Sequence, residues 1–400
     1  MTDSISAAQP ETRFSAFEVF LVFLKLGLTS FGGPVAHLGY FNEEFVARRK
    51  WLSAAAYAEI VALCQFLPGP ASSQTGMMIG LTRARLPGAL AAWLGFTLPS
   101  ALLLAGFAYG AAALGDLAHA PWLHGLKIAA VAVVAQAIIG MCRSLCPDMP
   151  RIVFAVLAAA VAIFMPTALG QVGAIVLGGL LGGLILKPAP GAALPDLPAA
   201  LPKPASILAL VLFFALLAAL PLAASSEGLF VRLFDSFYRA GALVFGGGHV
   251  VLPLLEREVI PPGLIDPQMF LAGYGAAQAV PGPLFTFAAF LGAAIAGGWG
   301  ALICILAIFL PSFLLIIGVL PFWNDLRRHR AARAVLQGIN AAVVGLLAAA
   351  FATLIVPTGI TSGMDAAIAV VLLILLVIVR WPSWLIVALG AAAASGAAFI

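Results

Sequence analysis

Residues 52–82 read LSAAAYAEIVALCQFLPGPASSQTGMMIGLT, with Arg48, Arg49 and Lys50 just before them and Arg83 and Arg85 just after. A transmembrane helix needs about 20 mostly apolar residues, so the stretch is long enough to cross a bilayer. Pro68–Gly69–Pro70 interrupts it. Proline removes a backbone donor and glycine admits non-helical backbone. In hydrocarbon such backbone survives only when it is buried in protein or lines a cavity. Lys and Arg accumulate in cytoplasmic loops. With basic residues on both flanks, the segment is predicted to enter, turn at the PGP and leave on the same side as a re-entrant hairpin. A simple span would strand one basic cluster outside.

Three further apolar pieces are broken in the same way. They are 14–47 (at Phe31–Gly32–Gly33–Pro34), 231–260 (at Gly246–Gly247–Gly248) and 264–295 (at Pro281–Gly282–Pro283). Uncharged runs at 87–115, 124–142, 152–186, 205–224, 297–323, 334–364 and 366–400 supply unbroken spans. The runs 152–186 and 366–400 are each read as two helices, split at Met165–Pro166–Thr167 and at Arg380–Trp381–Pro382. Over the 400 residues, 63% are apolar and 9% charged. A soluble domain is about 25% charged, so this chain cannot coat a globular surface. Soluble enzymes and disordered chains are excluded, and the mean hydropathy of +1.12 indicates an all-α polytopic membrane protein.

An internal repeat organises these pieces. SFGGP (30–34) recurs as VFGGG (244–248), QFLPGP (65–70) as QAVPGP (278–283), LPS (98–100) as LPS (310–312), and GLKIAAV (125–131) as GINAAVV (338–344). The offsets stay between 212 and 214, and four collinear matches argue for duplication. The sequence is therefore divided into a first repeat (1–187), a Pro/Ala linker (188–204), an unpaired helix (205–224) and a second repeat (225–400). One unpaired crossing inverts the second repeat. Its hairpins then open outside, where only Arg232 and Arg257 are basic, and Arg327, Arg328, Arg330, Arg333 and Arg380 fall inside. The N-terminus is expected in the cytoplasm and the C-terminus outside. Inverted repeats with interrupted helices are a common secondary-transporter architecture, with the substrate near the midplane where half-helix ends converge.

Candidate substrate-binding residues follow from that geometry. Lys25 and Arg239 occupy matched positions, six residues before Phe31 and Phe245. Intramembrane charge is costly, and two symmetric cations would converge on an anion. The other reading is snorkelling, or pairing with Glu18 or Asp235. Free amides and positive helix ends at the breaks make anion seats. They implicate Phe31, Gly32, Gly33, Pro68, Gly69, Ser72 and Ser73 in the first repeat. Gly246, Gly247, Pro281, Gly282 and Thr286 follow in the second, with Gln65 and Gln278 as matched amide donors. Tight helix packing is the alternative for the Gly-Pro clusters. His37, His249, Glu44 and Glu258 are candidates for coupling to protons, although a solvated role serves the glutamates equally and a satisfied structural role is the commoner one for a histidine.

Other chemistries find no support. The N-terminus lacks a signal-peptide pattern. Cys64, Cys142, Cys146 and Cys304 lack the spacing and partners of a metal site. Gly246–Gly248 follows no strand and is no dinucleotide fingerprint; no P-loop, GxSxG or HExxH is found. The basic run 327–333 reads as a topology determinant, so no nucleic acid is expected.

The stretches FLKLGLTSFGGPVAHLGYFNEEFVARRKWLS (23–53), CQFLPGP (64–70), GFTLPS (95–100), GALVFGGGHVVLPLLEREV (241–259), AQAVPGPLFTFAAFLG (277–292) and IFLPSFLL (308–315) strongly resemble the chromate ion transporter family in its long two-domain form. The resemblance implies an inner-membrane protein that exports chromate on an ion or proton gradient, with no cofactor and no ATPase. One departure is Leu52–Tyr57, where the family often carries acids. Chromate and sulfate are both tetrahedral dianions, so residue chemistry alone fits either. The expectation is a carrier whose two halves rock about an oxyanion neutralised by Lys25 and Arg239. Its partners would be chromate or sulfate, the lipid bilayer and a second copy in a homodimer. A sulfate carrier, a passive anion channel and an intramembrane enzyme are the alternatives; the last would need a nucleophile–base pair or metal cluster that the sequence does not offer.

Overall fold

The computed structural model describes residues 15–113, 121–187, 202–224, 228–245, 248–326 and 329–397. Most of the expected linker, together with Arg327 and Arg328, lies outside the described residues. Among the described residues there is no strand. The first half comprises α1 (Ala16–Thr29), α2 (Gly33–Asn42), α3 (Ala54–Phe66), α4 (Ala71–Ala113), α5 (Pro121–Leu145), α6 (Met149–Phe164) and α7 (Ala168–Ile185). Then α8 (Lys203–Ala224) precedes α9 (Leu229–Leu243), α10 (Val251–Val259), α11 (Pro267–Ala279) and α12 (Phe287–Val319). The short α13 (Trp323–Leu326), α14 (Arg330–Ala350), α15 (Val356–Gly359), α16 (Gly363–Ile374) and α17 (Ser383–Ala397) complete the chain. Side-chain caps fix several starts: Ser53, Asp148, Thr167, Asp266 and Ser362 each accept a free amide of the following turn.

Five helical stretches of the described residues are long and apolar enough to cross a membrane. Large apolar side chains lie exposed on the outside, among them Leu102, Val156, Leu184, Phe214 and Val370. In water such a surface would aggregate, whereas in lipid it is the solvated one. The run expected to reach 364 ends earlier, because Val356–Gly359 closes on an extended Ile360.

Helices α4 and α12 each reverse sharply inside. Ala84–Arg85 and Ala296–Gly297 leave helical geometry, and the chain folds back so that Gly80 meets Gly88 and Gly292 meets Gly300. A straight helix would hold residues eight apart about 12 Å from one another. The first limb of each therefore packs with α3 or α11, and the second limb runs on beyond the reversal. The two reversals are equivalent, but Gly297 (φ +66°) does what Arg85 (φ +55°) must do with a side chain. With ψ near −147°, Arg85 sits where glycine is strongly favoured, at a cost on the order of 1–3 kcal/mol. Arg85→Gly is expected to raise stability by about 1 kcal/mol, read as a higher unfolding midpoint in detergent.

Packing between the halves is reciprocal. Helix α5 packs on α16 and α17, and its counterpart α14 packs on α6 and α7. Gly125 lies against Gly390, while Gly338 lies against Gly178 and Gly182. Small residues permit this backbone approach, which drives helix association where lipid removes the hydrophobic effect. Exchanging the matched helices of the two halves maps one set of contacts onto the other. The sequence halves are thus interlocked along these seams. At the core, α1 packs on α4 through Gly27 and Gly95, and α9 packs on α12 through Gly241.

Candidate functional site

Four helix breaks meet at the centre. Each PGP tip is bonded to the other half: Gly69 N–H donates to the Val244 carbonyl (2.7 Å) and Gly282 N–H to the Ser30 carbonyl (2.9 Å). Ser30 ends α1 and Val244 ends the equivalent α9, so these two bonds also match between the halves. A β-carbon on Gly248 would sit 3.3 Å from Pro34 and 3.8 Å from Leu284, which brings in the remaining two breaks. The positive φ of Gly69 (+125°) and Gly282 (+101°) makes the tips possible. Their amides are consumed in holding the tips together and do not offer themselves to a ligand.

Around these tips are buried hydroxyls. The Ser312 hydroxyl lies 2.7 Å from where a Gly69 β-carbon would be, and that of Ser100 lies 2.8 Å from the same point on Gly282. Ser100 donates to the Thr97 carbonyl at 3.1 Å. The side-chain oxygens of Ser30, Ser73, Thr97 and Ser312 are buried and have no hydrogen-bond partner among the described residues. Buried polar atoms are nearly always paired, so each of these four hydroxyls is an exception. Ser73 is the member that its position after the PGP predicts. Sequence reasoning misses Ser30, Thr97 and Ser312, although the LPS repeat contains the last of them.

His37 is 1% exposed. Its Nε2 lies 3.2 Å from the Ser30 carbonyl and its Nδ1 3.4 Å from the Ser72 hydroxyl. A carbonyl only accepts, so Nε2–H donates; when the ring is neutral, Nδ1 accepts from the Ser72 hydroxyl. His249 is bonded through Nδ1 to Tyr274 at 2.7 Å, and the Gln278 amide lies beside the same tyrosine. Gln74, at 0% exposure, braces the first tip by donating to the Pro68 carbonyl at 2.7 Å. The Thr286 hydroxyl donates to the Pro283 carbonyl (2.7 Å). Pro281 is buried, Phe31 packs on Trp384 with ring centroids 5.9 Å apart, and Gly32 and Gly33 (φ +99° and +76°) start α2. Gln65 is exposed where its match Gln278 is half-buried. Gly246 and Gly247 lie outside the described residues.

The expected cation pair requires correction. Lys25 is exposed and has no ion pair among the described residues. Arg239 is held by two carboxylates, Asp235 (2.8 Å) and Glu258 (2.6 Å). Glu258 also accepts from Ser236 at 2.7 Å. The alternative reading, in which Asp235 pairs with Arg239, is the one the structure holds. Position 21, which matches Asp235, is Leu, so Lys25 has no equivalent partner one turn away. Glu44, the match of Glu258, joins Arg48 and Arg49 instead. Burial works against its charge, but those two guanidiniums hold its carboxyl below the usual range. The matched cations are therefore unequal: Arg239 is neutralised by two carboxylates and Lys25 by none among the described residues.

Interrupted helices meeting at a polar centre inside an apolar shell define a multi-pass helical membrane protein. The chain belongs to the chromate transporter family, whose profile matches residues 17–184 and 231–395. It is 29% identical to the chromate transport protein of Pseudomonas aeruginosa over 87% of this chain and 83% of that one. It is 28% identical to the probable chromate transport protein of Synechococcus elongatus, covering 88% of each. The chromate transport protein of Cupriavidus metallidurans is 26% identical over 87% of this chain and 85% of its own. No solved structure matches the chain.

Proposed function

We propose that this protein carries chromate across the inner membrane, outward, as a secondary transporter, and holds the dianion where the four broken tips meet. Family membership and the relatives' names support chromate. The observation that carries the placement is the set of unpartnered buried oxygens of Ser30, Ser73, Thr97 and Ser312. A tetrahedral dianion only accepts hydrogen bonds, and these hydroxyls can all turn to donate. The N-terminal ends of α2 and α4, and those of the turns leading into α10 and α12, add positive dipole ends.

In this reading the repeats are inverted, both chain segments flanking the α3 hairpin face the cytoplasm, and the C-terminus is periplasmic. His37 is the coupling candidate with the most direct access to the centre, since it touches both Ser30 and Ser72. Protonating Nδ1 would remove the acceptor that Ser72 uses, which links proton and anion occupancy.

Uptake of labelled chromate into inside-out vesicles tests the site. Hydrogen bonds to charged groups are worth about 1.5–3 kcal/mol. Ser312→Ala and Ser73→Ala are each expected to raise the chromate KM about tenfold or more with thermal stability unchanged. Unaltered KM in both variants would reject the site. Sulfate, having the same shape and charge, is the competitor to include, and stronger inhibition by sulfate than self-competition by chromate would reverse the substrate order.

A further inference from the structure

The two hairpins are equivalent in sequence but not in packing. Helix α11 is clamped between helices of both halves, α5, α17 and α4 among them. Its match α3 packs chiefly on α2 and α4 of its own half and reaches the other half at Trp323, which bonds Glu59 and packs on Phe66. The difference follows one helical stripe. On α3, Ala54, Ala58 and Gln65 are exposed and Val61 and Ala62 half-buried; on α11 the matched Leu271, Tyr274 and Gly275 are buried and Pro267 and Gln278 half-buried. Spacings of three or four residues place each set on a single face.

The opposing walls differ in the same sense. On α5, Leu123 and Lys127 are 2% and 4% exposed, while the matched Leu336 and Asn340 of α14 are half-buried. The α5–α11 seam is tight: a β-carbon on Gly275 would lie 2.5 Å from the Leu126 carbonyl and 3.2 Å from the Leu126 β-carbon. Lys127 fastens it by donating to Gln268 at 3.2 Å, with Asp266 and Asp365 supplying opposite charge. The equivalent of Gln268 is Ala55, so α3 has no such fastening to Asn340.

We infer that the α3–α14 seam is an open aqueous mouth leading to Gln65 and the first PGP tip, and that the α5–α11 seam is its shut counterpart. This rests on the transport reading above. The cycle then exchanges the two packings, closing α3 on α14 as α11 now closes on α5. The chemistry at the mouth favours an anion. Helix α3 follows Arg48, Arg49 and Lys50, and Trp51 carries the Arg49 and Arg83 guanidiniums 5.4 and 4.7 Å from its ring centre. Helix α14 begins at the exposed Arg330. Glu44, Glu18 and Glu43 offset part of this charge, and the remaining cations still favour a dianion over a cation at the mouth.

Single cysteines in full-length protein carrying Cys142→Ser test the inference without using chromate. Ala58→Cys is expected to react with membrane-impermeant methanethiosulfonates at least tenfold faster than Leu271→Cys, and faster with an anionic reagent than with a cationic one. Ala58→Cys as inert as Leu271→Cys from both sides of the membrane would overturn the mouth, placing the stripe against lipid or a second copy. Preference for the cationic reagent would overturn the anion route. A second measurement uses Ala62→Cys with Ile339→Cys, the counterparts of Gly275 and Leu126. Oxidation should form a disulfide and abolish chromate flux, with recovery on reduction. Failure to cross-link, or a cross-link that leaves flux intact, overturns the closure. Normal labelling in protein that moves no chromate would reject the transport reading while leaving the mouth standing.

Discussion

Arg239→Ala is expected to be among the most damaging single substitutions outside the tips. Asp235 and Glu258 both bond the guanidinium, at 2.6–3.0 Å, and are largely shielded from solvent. Removing the cation leaves two facing carboxylates without compensation. Breaking a buried pair in this way costs about 3–5 kcal/mol, a large part of the stability of an ordinary domain. The folded fraction recovered in detergent should fall several-fold and the unfolding midpoint should drop. Neutralising the acids as well, with Asp235→Asn and Glu258→Gln, should restore most of the loss. Lys25→Ala, at the matched but exposed position, should change stability by no more than about 0.5 kcal/mol. Equal tolerance of both substitutions would show that the ion-pair cluster is not a structural element.

Gly69→Ala should abolish transport more completely than it unfolds the protein. The methyl would meet the Gln74 amide nitrogen at 2.5 Å and the Ser312 hydroxyl at 2.7 Å, on a backbone at φ +125°. The conformational cost alone is about 1–3 kcal/mol, and the collision pushes Ser312 out of the proposed coordination shell. Gly282→Ala repeats the insult against Ser100 at 2.8 Å, on φ +101°. At matched protein amounts in vesicles, flux should fall at least tenfold in either variant. Gly106→Ala is the control, because nothing lies within 4 Å of the added methyl. Full flux in Gly69→Ala would mean that the tip contact is dispensable.

Much of the helical layout can be read from the sequence because hydrocarbon forbids ambiguity. Runs such as 205–224 have no charge to explain away, and each PGP names its own break. The matched cations mislead for an equally physical reason. Alignment of the halves displays Lys25 beside Arg239, whereas the deciding fact is that Asp235 has Leu21 as its counterpart. Ser30, Thr97 and Ser312 are illegible because serine and threonine in apolar helices usually bond back to the preceding turn, as Thr353 and Ser395 do here. Only the folded chain distinguishes a hydroxyl that bonds back from one that does not. Partner choice among the outer helices is hidden too. Gly125, Gly338 and Gly345 each meet a backbone across a seam, yet Gly106 and Gly140 look no different as letters and touch nothing.

The crossed arrangement of α5 with α16 and α17, and of α14 with α6 and α7, bears on biogenesis. When α5 emerges from the translocon, the helices that will wall it have not been synthesised. The earliest-made segments must wait in the bilayer, their small-residue faces solvated by acyl chains, until the last helix has been threaded. Assembly is thus a post-insertion event, and a chain severed within the connecting stretch should regain its native shape only when both fragments are produced in the same membrane.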